Sequence, residues 1–366
     1  MENKQQVLAQ YKNYKCDTYI KAIENIESKI KSMKGFENKL PMTQLSKEAM
    51  NYMKEYFNFY QSLLNMGHDV LLFDYMTELQ NSGKSQMNQN LLSLIQSVKP
   101  DLAMFSLYTD QFDSKIIDQL REHTKTLCFF HDDTWRVDFS RYWASHFDFF
   151  TTPDVYGVQK YKAINLTNAI YFPFGCNEQI YKKTNAIKQY DVSFVGAWHP
   201  YREWIINRLK KNNINVKVAG YRWPSGVVSH PEMVEIFNSS RINLNLSNSS
   251  SWDARYLMSS PRGLLNRVRS SKSVEQLKAR HFEINGCGAF QLSYYVEGLE
   301  RHYKIGQEIA IYIDPDDLLE KIQIYLKNEN LRQEIADQGY ARTIDDHTFK
   351  NRFLNVFKHM GISAYD

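Results

Sequence analysis

Short apolar runs alternate with longer amphipathic stretches along most of the chain. Such alternation predicts strands and helices in turn, and so a parallel sheet covered on both faces. In the first half, apolar runs at 69–74, 101–108, 126–130, 147–151 and 169–173 read as strands. Helical periodicity falls between them at 90–98, 114–123, 139–145 and 155–163. The pattern fades over 175–190 and then restarts. In the second half the strands read 190–196, 216–219, 242–246, 289–294 and 309–313, with helices at 201–211, 231–239 and 274–285. Three more helices, near 315–327, 329–340 and 348–360, close the chain. The first 40 residues are rich in Lys, Glu, Asn and Gln, with an apolar face at Tyr19, Ile20, Ile23, Ile26 and Ile30. They read as helix up to Pro41, and a second helix over 45–66 stops at Gly67.

The chain has 366 residues, beyond the length at which one hydrophobic core ordinarily keeps growing. It is 43% hydrophobic and 23% charged, a globular balance. No apolar run is long enough for a membrane-spanning helix, and the polar start lacks the apolar centre of a signal peptide. The four cysteines lie far apart without a C-x-x-C pair, which fits a reducing cytoplasm and argues against a disulfide framework or a compact zinc site. The net charge of +4 tolerates a phosphorylated partner without demanding a nucleic acid.

Candidate chemistry concentrates in 275–292. Ser273 and Gln276 have capping-box spacing, so a helix is expected to begin near Val274 and end at Asn285-Gly286. Glu275 and Glu283 then share one helix, and Arg280 and Glu283 share a face. A carboxylate facing a cleft can accept two hydroxyl hydrogen bonds, which suits a ribose diol. An arginine beside it suits a pyrophosphate. A solvated helical salt bridge has the same spacing. Residues 254–280 hold seven basic side chains against the single acid Glu275. With only Tyr256 as an interleaved aromatic, this block reads as a loop closing on a pyrophosphate rather than as a nucleic-acid patch.

In the first half, His131-Asp132-Asp133 ends an expected strand. One carboxylate there could orient or deprotonate an acceptor hydroxyl, and His131 could contact a donor sugar. Capping of the next helix is the competing role for Asp133. Trp223 follows a strand end, where it could stack on a base or pack in its loop. Gly196 could admit a diphosphate close to the backbone or simply turn the chain. No G-x-G-x-x-G follows any expected strand, which disfavours a dinucleotide dehydrogenase.

The run from Arg280 to Phe290, RHFEINGCGAF, resembles the R-x-F-E-x-x-x-x-G signature of CgeB-like glycosyltransferases. Other pieces stand in the family's order: Asp191 to Gly196 with Arg202, Ile242 to Leu246, Ile311 to Asp314, Gly339, and His347 to Arg352. The resemblance covers about residues 100–355. It implies an α/β protein of the GT-B fold, two Rossmann-like doubly wound domains facing a cleft. The expected divisions are a helical extension over 1–44, an acceptor domain over 45–180, a nucleotide-sugar domain over 181–346, and a last helix over 347–366 crossing back. It implies a cytoplasmic, retaining, metal-independent enzyme that takes a UDP- or GDP-linked sugar as substrate and needs no cofactor. A protein or glycan would accept the sugar, and peripheral membrane contact would be compatible. By the resemblance Glu283 binds the ribose and Glu275 has the place of the first glutamate of the E-x7-E pair. Gly196, Arg202, Trp223, Asn245, Lys278 and Arg280 complete the expected donor site, and His131, Asp132 and Asp133 the catalytic one. The competing function is a spore- or surface-layer assembly protein that keeps the fold without turnover.

Overall fold

A computed structural model describes residues 56–132, 136–247, 251–259, 264–265 and 275–362. The expected helices over the first 44 residues, and the start of the 45–66 helix, lie outside the described residues. The described chain forms two compact units, one of residues 56–173 with 353–362 and one of residues 174–352.

The first unit is a parallel sheet in the order β1 (Leu102–Ser106), β2 (Lys125–Phe129), β3 (Phe149–Thr152), β4 (Ala169–Tyr171). The pairing sets Leu102 beside Lys125, Leu127 beside Phe149 and Phe150 beside Ala169. Four of the five β2 residues are buried, as a strand covered on both faces requires. The helices are α1 (Gln61–Asn65), α2 (Tyr75–Val98), α3 (Ser114–Leu120), α4 (Val137–Ala144) and α5 (Gly157–Lys162). Met87, Phe105, Ile117, Leu120 and Phe150 fill one continuous core. Each fully buried side chain of this size contributes about 1.5–3 kcal/mol. The Asp113 carboxylate caps α3 by accepting from the Lys115 N–H at 3.0 Å.

Two expectations change here. Residues 69–74 join no strand, although Phe73 packs against the core. A short apolar run is compatible with any partly buried segment, and only a neighbouring strand makes it part of a sheet. The 90–98 helix is the end of α2, which starts fifteen residues earlier. Its first part is almost wholly polar and so shows no apolar period. Gly83, at φ 76°, interrupts the helical backbone between the two parts.

The second unit is a parallel sheet in the order β6-β5-β7-β8-β9. Its strands are β5 (Tyr190–Val195), β6 (Val216–Ala219), β7 (Ser240–Asn245), β8 (Gln291–Tyr294) and β9 (Ala310–Tyr312). Around them lie α6 (Pro200–Lys211), α7 (His230–Asn238), α8 (Ala254–Ser259), α9 (Arg280–Gly286), α10 (Pro315–Lys327) and α11 (Glu329–Asp346); of the last helix, α12 (Phe349–Met360), the residues from Phe353 on belong to the first unit. Successive residues go to opposite faces. Phe194, Val218 and Ala310 join one core cluster, while Val195, Ala219 and Ile309 join another. Gly339 serves this packing: a Cβ there would lie 2.2 Å from the Glu308 carbonyl oxygen, so only glycine brings α11 this close.

A buried network fastens the C-terminal end of this unit. The His347 ring donates from Nε2 to the His302 carbonyl at 2.7 Å, and its Nδ1 faces Arg352 Nη2 at 3.2 Å. Arg352 also donates from Nε to the Phe174 carbonyl. Burial first, and the Arg352 charge second, push His302 down to about 2 and His347 down to about 4. Burial alone is the largest cause holding His281 at about 4. All three are depressed below the unfolded value, so the unfolded chain binds more protons and stability rises with pH. That stability is present above about pH 6.5 and is lost as the pH falls from there towards 4, at up to about 1.4 kcal/mol per pH unit for each histidine. The urea midpoint is expected to fall from pH 7.5 to pH 5. An unchanged midpoint would contradict the buried neutral histidines.

Candidate active site

In the second unit β5 and β7 lie side by side, and the connections leaving them, to β6 and to β8, run in opposite directions across the sheet. In open α/β sheets the crevice beyond the carboxyl ends of such strands is where ligands bind. Gly196 follows β5 directly. Its N–H donates to the Ala219 carbonyl at 2.9 Å, and its own carbonyl accepts from the Trp223 indole at 2.9 Å. Gly220, at φ 137°, presses against it: a Cβ on Gly220 would stand 2.1 Å from the Gly196 oxygen. The ends of β5 and β6 therefore meet backbone to backbone.

The loop past Gly196 leads into α6, whose first turn carries Arg202. Arg202 donates from Nη1 to the Ala197 carbonyl at 2.9 Å, and its guanidinium lies 5.6 Å from the Phe194 ring centroid. Its Nε is buried and has no hydrogen-bond partner among the described residues. Burial lowers its pKa, while Glu275 and Tyr312, its electrostatic neighbours, act to raise it. The Tyr312 hydroxyl at the end of β9 and the Ser247 hydroxyl just past β7 are also buried without partners among the described residues. Buried polar atoms are nearly always paired, so three such atoms at the carboxyl ends of one sheet ask for a ligand. Asn245, the last residue of β7, is buried and donates to Gln291 Oε1 at 3.4 Å.

The segment before β8 departs from expectation. The helix starts at Arg280 rather than Val274, and residues 275–278 are irregular. Ser273 of the expected capping box lies outside the described residues. In its place the His281 ring folds back, its Nδ1 accepting from the Lys278 N–H at 3.0 Å. Glu275 and Lys278 therefore do not share a helix with Glu283. Glu275 instead faces the Arg202 and Tyr312 neighbourhood. The His281 Nε2 is a further buried ring nitrogen without a hydrogen-bond partner among the described residues.

Glu283 is 8% exposed and doubly held. Its Oε1 accepts from the Tyr181 hydroxyl at 2.9 Å, and its Oε2 from Arg280 Nη1 at 2.6 Å. Arg280 also lies over the Phe237 ring. Burial and the nearby Glu283 charge hold Tyr181 well above the usual phenol range, so it stays a donor. The salt bridge with Arg280 exists, but inside the unit rather than on a solvated face. Each carboxylate oxygen keeps a lone pair for a further donor.

Trp223 is a correction. It is 6% exposed, bonded to Gly196 and edge-on to Phe194 within the core, so it packs instead of offering a face to a base. In the first unit, His131 Nε2 lies 2.9 Å from the Ser106 hydroxyl and its ring stacks on Tyr108, bringing together the segments that leave β1 and β2. The Asp132 carbonyl accepts from the Arg136 N–H. Asp133 lies outside the described residues. Sequence reasoning missed Tyr181, Ser247 and Tyr312. Tyr181 sits in the stretch without periodicity, and nothing in its local sequence marks it as a partner of a residue about a hundred positions away.

Residues 202–358 match the glycosyl transferase-like family model. No curated protein matches the chain in sequence. Solved structures share its fold. Sucrose-phosphate synthase from Thermosynechococcus elongatus is 10% identical, with a TM-score of 0.51 over 76% of this chain and 77% of that one. A glycosyltransferase from Rickettsia africae is 9% identical, with a TM-score of 0.50 over 75% and 80%. HepE from Anabaena, in complex with UDP-glucose, is 9% identical, with a TM-score of 0.50 over 75% and 82%. The fold is GT-B, and the part of the chain that matches the glycosyl transferase-like family model falls mostly in its second unit.

Proposed function

We propose that this chain is a glycosyltransferase that moves a sugar from a uridine diphosphate donor to a protein, glycan or cell-surface acceptor, as a retaining enzyme of the CgeB-like kind that needs no metal ion. The observation that carries the reading is the set of unpartnered buried polar atoms, Arg202 Nε, Ser247 Oγ and Tyr312 Oη, at the carboxyl ends of the second sheet. A diphosphate or sugar arriving there supplies the missing partners. The same sheet end holds Gly196 where the backbone is most compact. The UDP-glucose bound by HepE, a protein of the same fold, supports uridine over guanosine.

In this reading Glu283, already positioned by Tyr181 and Arg280, accepts from the ribose hydroxyls. Arg202, Lys278 and Arg280 meet the charge that grows on the departing diphosphate. Asn245 and Glu275 border the donor sugar. The acceptor oxygen forms its bond to the anomeric carbon as the bond from that carbon to the diphosphate oxygen breaks. The acceptor proton passes to a carboxylate, Asp132 or Asp133, or to the leaving diphosphate. No described helix is long and apolar enough to cross a membrane. The cytoplasm is the proposed compartment, in keeping with Cys176 and Cys287, buried thiols outside any disulfide among the described residues.

The test is a thermal-shift series with UDP, GDP, CDP and ADP, followed by turnover in EDTA. UDP is expected to stabilise most, by about 2.7 kcal/mol at a hundredfold excess over its Kd. Turnover with the matching UDP-sugar is expected to survive EDTA. Loss of turnover that Mg²⁺ or Mn²⁺ restores would overturn the metal-independent reading.

A further inference from the structure

The first unit contains a cavity of about 870 Å³ that plays no part in the donor site. It lies among α2, the loop after β1, and the helices α3 and α4. The volume sits in the range of small-ligand sites, about 300–1,000 Å³. One wall is aromatic. Phe139, Tyr142 and Trp143 have the spacing of one face of α4. Trp143 is buried and Tyr142 is 56% exposed, so a rigid base carries one open ring.

The other walls are polar and electrically balanced. Lys84 pairs with Asp110 at 3.3 Å. Arg136 donates to the Tyr108 carbonyl at 2.7 Å and lies 4.3 Å over the Phe139 ring. Asp113 is engaged in capping α3. Two cations and two anions in the lining leave no net charge for an acidic or phosphorylated ligand. The mixed walls equally disfavour a purely apolar one. Ser114, which accepts from the Tyr142 hydroxyl at 3.1 Å, adds a group able to donate and accept.

An open aromatic face beside balanced donors and acceptors matches a ligand with apolar C–H faces and a rim of hydroxyls. We infer that this cavity binds a neutral oligosaccharide, stacked on Tyr142 and hydrogen-bonded by the Lys84, Asp110 and Ser114 side. Its use as the acceptor subsite rests on the sugar-transfer reading; the binding itself does not.

The experiment is ligand-observed NMR and calorimetry with maltotriose, cellotriose, chitotriose and mannotriose, and a sulfated heparin disaccharide as the charged comparison. At least one neutral trimer is expected to bind at about 10 mM or better. Tyr142→Ala should weaken it about tenfold, a loss of the order of one aromatic contact. Tyr142→Phe should keep most of the affinity. Because Tyr142 is more than half exposed, both variants should fold, and their UDP stabilisation should equal the parent's. If no neutral trimer binds, if only the sulfated sugar binds, or if Tyr142→Ala binds as tightly as the parent, the inference is overturned. Trimer binding without any UDP stabilisation would sustain the cavity and defeat the donor reading instead.

Discussion

Glu283→Ala should weaken UDP binding at least tenfold, a loss of about 1.4 kcal/mol or more. An ionised carboxylate accepting from a ribose hydroxyl makes a charge-assisted bond worth about 1.5–3 kcal/mol when water is excluded. Glu283 is mostly buried and held at both oxygens, so it meets the ribose without reorganising. The same burial means that the variant also loses stability. Removing the carboxylate leaves the buried Tyr181 hydroxyl without its partner, a cost of about 1–3 kcal/mol, and takes the ion pair from the partly exposed Arg280. Glu283→Gln keeps an acceptor and should lie between parent and Ala on both scales. Tyr181→Phe separates the two effects, since it removes a hydrogen bond from the support but leaves the carboxylate. It should lower the urea midpoint and cost UDP affinity less than Glu283→Ala does. Calorimetry on variants shown folded by circular dichroism checks this. Parent-like affinity in Glu283→Ala would remove Glu283 from the donor site.

Gly220→Ala is expected to damage the fold more than any exposed substitution. The new Cβ would lie 2.1 Å from the Gly196 carbonyl oxygen, and backbone has no flexible end with which to yield. The residue also sits at φ 137°, where side chains are rarely found. Backbone strain and overpacking each cost about 1–3 kcal/mol, against a total stability of about 5–15 kcal/mol. Gly306→Ala is the internal comparison. It too has positive φ, but nothing stands within 4 Å of its Cβ, so only the conformational cost applies. Gly220→Ala should show a clearly lower urea midpoint than Gly306→Ala and weaker UDP binding, because Gly196 moves with it. Equal midpoints would mean that the two strand ends are not packed as described.

Much of the fold was legible because buried parallel strands announce themselves. The run at 216–219 coincides with β6, and the expected strands after residue 100 each overlap an observed one. Apolar residues there face two cores at once, so the local signal and the global packing agree. The stretch at 69–74 misled because its apolar character reflects contact with a core rather than a strand neighbour. The helix start near Val274 misled because residues 275–278 are irregular and the helix begins only at Arg280, with the His281 ring turned back onto Lys278. Within the proposed site, Arg202, Arg280 and Glu283 stand out in sequence because their residue types and order suit donor chemistry. Trp223 could not be told apart from a stacking residue until its indole was seen bonded to Gly196. Tyr181 reaches Glu283 only through the tertiary fold, and no spacing in the sequence marks Tyr181, Ser247 or Tyr312.

The central claim is that Glu283 in the second unit holds the ribose of a uridine nucleotide. Its most direct test is calorimetric titration of parent and Glu283→Ala with UDP and with 2′,3′-dideoxy-UDP. The account predicts that the parent binds UDP at least about tenfold more tightly than the dideoxy form, and that Glu283→Ala binds the two about equally. A parent that binds both forms alike, or a variant that still prefers UDP as strongly as the parent does, would contradict it.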